Sequence, residues 1–117
     1  MIDGEQLILG PGDEATVPIG ALHAWSNASS EPVVAHVELR PGQPGFETSL
    51  RVAYGLAADG RVLKNGMPRN PLHAGLLLEW GDGRLPGAYA ILDRALRLLA
   101  RLARATGVDR RLQQRYP

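Results

Sequence analysis

The sequence predicts an α+β chain: a mainly β N-terminal part, residues 1–42, with four short antiparallel strands, then residues 43–117 with three helices. Three observations predict it. Before Pro41 apolar residues recur at every second position, as on a half-buried strand, and after it they recur at helical spacing. Turn formers at Pro11-Gly12-Asp13 and Pro18-Ile19-Gly20 cut the first part into short runs. Asn70-Pro71 has the form of a helix start, with Asn as the cap and Pro in the first turn.

Residues 5–9 are read as the first strand, with Leu7 and Leu9 on one face. The second, 14–17, alternates polar and apolar residues between the two turns. The third, 22–27, sets His23, Trp25 and Asn27 on one face at period 2. A hairpin loop around Ser29-Ser30 then returns the chain as the fourth strand, 33–40, where Val33, Ala35, Val37 and Leu39 face one way and Val34, His36, Glu38 and Arg40 the other. The first helix is expected from Pro44 to Asp59-Gly60, its stripe marked by Phe46, Leu50, Ala53, Tyr54 and Ala57. The second runs from Asn70 to Gly81. The third starts near Pro86 and stops at Gly107. Ile91, Leu92, Ala95, Leu96, Leu98, Leu99, Leu102 and Ala103 form its apolar face, with Arg94, Arg97, Arg101 and Arg104 opposite.

A chain of 117 residues is one domain's worth and can bury a modest core. With 44% hydrophobic and 21% charged residues it has the composition of a folded chain. The absence of cysteine excludes disulfides and thiolate metal ligands. The start, Met1-Ile-Asp-Gly-Glu, lacks the apolar stretch of a signal peptide, and no apolar run is long enough to span a membrane. A cytoplasmic protein without a membrane partner is expected.

The net charge of +1 hides an asymmetry. Residues 1–83 balance at −5 and residues 84–117 at +6. Such a split raises the question of nucleic acid. Stacking on single strands would need aromatic residues among the arginines, and none are interleaved there. The arginine face is therefore expected to be solvated or paired with acids, with no nucleic-acid partner.

Gly12, Pro18, Gly20, His23 and Asn27 fall at the spacing G-x5-P-x-G-x2-H-x3-N. This resembles the second motif of the cupin superfamily. Residues 46–80, with Gly55-Leu-Ala-Ala-Asp-Gly60 and Gly66-Met-Pro-Arg-Asn-Pro-Leu72, look like the helical tail of short bacterial cupin-domain proteins, as does the ending Arg115-Tyr-Pro117. The resemblance implies that the four strands are half of a jelly-roll β-barrel. The family's other motif, which supplies two His and one Glu to a metal, has no counterpart, and no H-x-H occurs. Only His23 matches a family ligand position.

If the loop closes a hairpin that pairs Asn27 with Pro32, His23 meets His36 and Trp25 meets Val34, with Glu38 on the same face. His23, Trp25, His36 and Glu38 are then the candidate ligand-binding residues. The expectation is a site without metal. The alternative is a divalent ion, such as Zn, Mn, Fe or Ni, on His23, His36 and Glu38. No catalytic residue is singled out. Four strands cannot close a barrel, and their open edges invite pairing with a second copy. A small-molecule-binding or dimerisation module, working as a homodimer, is the function expected. The alternative is a metal-dependent enzyme whose site is built from His23, His36 and Glu38 or completed by a second chain.

Overall fold

The computed structural model describes residues 1–85 and 87–117; the expected helix start at Pro86 lies outside them. It contains four α-helices, α1 (Pro44–Ala58), α2 (Pro71–Trp80), α3 (Ala90–Ala105) and α4 (Val108–Arg115), with a 3-10 turn at Gly87–Tyr89 ahead of α3. The chain divides into two compact units, Met1–Glu38 and Leu39–Pro117.

The helices begin and end where their sequences dictate. Gln43 caps α1, its side-chain oxygen accepting from the Phe46 amide, and Pro44 follows in the first turn. At the other end the Gly60 amide donates to Ala57 O (3.0 Å) and the Arg61 amide to Leu56 O (2.8 Å), with Gly60 at φ +66°. This is the two-bond C-terminal closure that a left-handed residue permits. Asn70 caps α2 by accepting from the Leu72 amide at 2.9 Å. The end of α2 repeats the closure of α1: Asp82 donates to Glu79 O and Gly83 to Leu78 O, but the left-handed residue, at φ +48°, is Asp82. Glycine adopts that conformation without strain, so Asp82→Gly is expected to stabilise the helical unit by up to about 1 kcal/mol, read as a raised melting temperature.

One core joins the four helices. Val52 and Leu56 of α1, Leu76 of α2, Ala100 and Ala103 of α3 and Leu112 of α4 are buried together. Trp80, Val62, Leu72, Leu77, Val108 and Tyr116 pack around them. The small residues allow close approach: a Cβ on Gly75 would stand 2.4 Å from Leu96 O and 2.9 Å from Ala100 N, so α2 lies backbone to backbone on α3. Polar ties lie outside this core. The Arg97 guanidinium donates to Asp93 (2.8 Å) and to Gly83 O (2.9 Å), while Asp93 also accepts from the Leu85 amide (3.1 Å). Arg104 pairs with Glu79 at 3.0 Å. Two of the four arginines expected to form a polar face are thus paired with acids.

The expected mainly β half is corrected. Among the described residues there is no strand, only isolated bridges: Ile2 with Glu5, Ile2 with His23 and Val62 with Pro68. The four-stranded half of a cupin-type jelly-roll β-barrel is therefore absent, and the fold is mostly helical. The turns are nonetheless in place. Asp13 donates to Gly10 O, Ala21 donates to Pro18 O, and Gly12 and Gly20 take positive φ. Asn27 organises its loop by accepting from the Ser29 amide and hydroxyl and donating to Glu31 O at 2.7 Å. The ladders are what is missing: residues 33–37 exchange no backbone hydrogen bond with 22–27. What does lie beside 22–24 is the chain start, through Met1, Asp3, Leu22 and Ala24. An alternating pattern specifies a strand only when a neighbour supplies the ladder and covers one face, and this unit supplies neither.

The helical expectations differ less. α1 and α2 match the expected spans, and α3 ends before Gly107 as expected. α4 is additional, so four helices stand where three are expected.

Candidate functional site

The residues singled out in the sequence all lie in the unit Met1–Glu38. His23, Trp25, His36 and Glu38 are all exposed. The His23 backbone bridges to Ile2, and its Nδ1 lies 3.2 Å from Ala21 O. The hairpin register that sets His23 opposite His36 needs a ladder between 22–27 and 33–37, which does not form. Among the described residues no three His, Asp or Glu side chains form a group able to hold a metal, so His23, His36 and Glu38 are not brought together.

Two other surfaces stand out. The first is the unit Met1–Glu38 itself, which contains no buried residue. Its apolar side chains are open to water, with Ile19 93% and Val34 97% exposed. Its charge is one-sided: six carboxylates and no Lys or Arg.

The second surface is the outer side of α3. The single apolar face read from the sequence is two stripes. Leu96, Ala100 and Ala103 are buried in the core. Ile91, Ala95, Leu98, Leu102 and Ala105 are exposed, Ile91 at 79%, Leu98 at 61% and Leu102 at 51%. They follow one another at steps of four, three, four and three, the heptad rhythm of a helix seam that packs against a partner. Arg94 and Arg101 lie beside that seam, both exposed. The 4-3-4-3 spacing is present in the sequence and could have separated the two stripes.

No protein-family model matches the chain, and neither a curated protein nor a solved structure matches it. The likeness to cupins therefore rests on the spacing of residues 12–27 and on the tail alone, without the sheet that would carry a cupin site. Among the described residues no helix is long and apolar enough to cross a membrane.

Proposed function

We propose that the chain is a self-assembly module: a homodimer in which the acidic segment Met1–Glu38 of each copy covers the basic, apolar outer face of α3 on the other. The observation that carries this reading is surface area. The chain exposes 9181 Å². A folded monomer of 12.6 kDa is expected to expose about 6,200 Å². Counting the two units as separate globules, which removes any dependence on their placement, raises the expectation to about 7,400 Å². The remaining excess is about 1,800 Å² per chain, more than the roughly 800 Å² that each partner buries in a standard interface and within the range of obligate dimers.

Charge decides which surfaces meet. Pairing α3 with α3 in antiparallel fashion sets Arg94 and Arg101 against the same arginines of the copy. Pairing Met1–Glu38 with itself confronts six carboxylates with six. The crossed arrangement joins opposite charges, and twofold symmetry makes it twice.

The double substitution Leu98→Glu with Leu102→Glu tests this. It sets two carboxylates in the seam, against an acidic partner, without touching the core. The dimer should dissociate at least about tenfold more readily in sedimentation equilibrium, and salt should weaken the unsubstituted dimer. An unchanged dissociation constant would exclude the α3 seam.

A further inference from the structure

A cleft of roughly 540 Å³ opens between the 59–70 loop, the start of α2 and α4. Arg61, Arg111 and Arg115 reach it from the loop and from α4, His73 and Asn70 from the start of α2, and Leu112 from below. Among the described residues no carboxylate lines it. Asp59, which precedes the loop, is already engaged, accepting from Arg115 Nη2 (2.6 Å) and the Tyr116 hydroxyl (2.7 Å), with Arg61 at 3.9 Å. These partners, the Tyr116 hydroxyl first and then Arg115, hold the Asp59 carboxyl below the usual carboxylate range. One negative charge is thus set against three guanidinium groups, and among the described residues no acid stands within ion-pair distance of Arg111.

The neutral groups are oriented too. Asn70 Oδ1 is taken by the Leu72 amide, which leaves its Nδ2 at 3.4 Å from His73 Nε2. The helix amide being capped, positive character in the cleft comes from side chains. Burial, and then the charge of Arg61, push the His73 imidazole below its usual range, which favours its neutral form.

We propose that this cleft binds a soluble phosphate monoester, the phosphate held by Arg61, Arg111 and the Nη1 edge of Arg115, whose Nε and Nη2 stay on Asp59, and the organic part against Val108 and Leu112. Several guanidinium forks converging from different elements suit a tetrahedral anion with several acceptor oxygens better than one flat carboxylate. The site goes beyond self-assembly and does not depend on it: α3 contributes nothing to its lining.

The test is calorimetric titration of the full chain with phenyl phosphate, with the His73 ring resonances followed by NMR. Saturable binding is expected, weakened about tenfold or more by Arg111→Gln and unaffected by Arg51→Gln on the exposed side of α1. A bound dianion should also raise the pH at which His73 titrates, against the opposing charges of Arg61, Arg111 and Arg115. Arg61→Gln provides a second variant at the same cleft, with the same expected loss. The proposal is overturned by no saturable heat and no His73 shift at millimolar phenyl phosphate. Equal weakening by Arg51→Gln and Arg111→Gln would also overturn it, as would binding only to phosphatidic acid vesicles or only to random RNA.

Discussion

Leu56→Ala is expected to destabilise the helical unit by about 2–5 kcal/mol. Leu56 is fully buried where α1 meets the other helices, beside Val52, Leu76 and Leu112. Truncation removes its apolar contacts and leaves a cavity that four packed helices cannot fully close. In a unit of this size each kcal/mol lowers the melting temperature by roughly 4–8 °C, so the loss is visible by circular dichroism. Leu50→Ala on the same helix, at an exposed position, should shift the midpoint much less. Equal effects would mean that the core is not centred on Leu56.

Gly75→Ala carries the second large effect, and its sign is diagnostic. Within a helix, replacing Gly by Ala ordinarily stabilises by about 1 kcal/mol. At Gly75 the new methyl would stand 2.4 Å from Leu96 O and 2.9 Å from Ala100 N, both backbone atoms of α3. Neither can rotate away, so α2 and α3 must separate and unpack Leu76 and Ala100 with them. Overpacking of this kind costs about 1–3 kcal/mol, enough to outweigh the propensity gain. A midpoint in chemical denaturation lowered despite the better helix former is expected. A raised midpoint would show that α2 and α3 are not in backbone contact.

How far the sequence discloses this molecule depends on whether each signal is local. Asn70-Pro71 and Gly81-Asp82-Gly83 act within a few residues, through caps and left-handed closures, and α2 lies where they place it. The turns at Gly12, Gly20 and Asn27 are equally local and equally legible. Strands are not local: the alternation of 33–40 says which face a strand would bury, not that a neighbour exists to pair with it. Among the described residues, 22–27 offer no ladder to 33–37, so the chain keeps its turns and forms no sheet there. α4 is inconspicuous for another reason. Val108 and Leu112 are the only apolar positions in Val108–Arg115, and the helix rests on docking them rather than on a strong stripe.

The candidate site follows the same division. His23 and His36 are linked in the sequence only through a register, and the ladder that would set that register does not form between 22–27 and 33–37. The cleft at Arg61, His73, Arg111 and Arg115 draws on residues from both ends of the helical unit, brought together by helix packing that no local pattern encodes. The outer seam of α3 lies between these cases. Its spacing is written in the sequence, but only the packing of α2 against Leu96, Ala100 and Ala103 shows which stripe is left uncovered.

The central claim is that the exposed apolar surface of Met1–Glu38 and α3 is covered by a second copy. Light scattering coupled to size-exclusion chromatography, at micromolar concentration and low salt, measures this directly. The account predicts a particle of twice 12.6 kDa. A folded, cooperatively melting particle of 12.6 kDa that persists as the concentration is raised would contradict it.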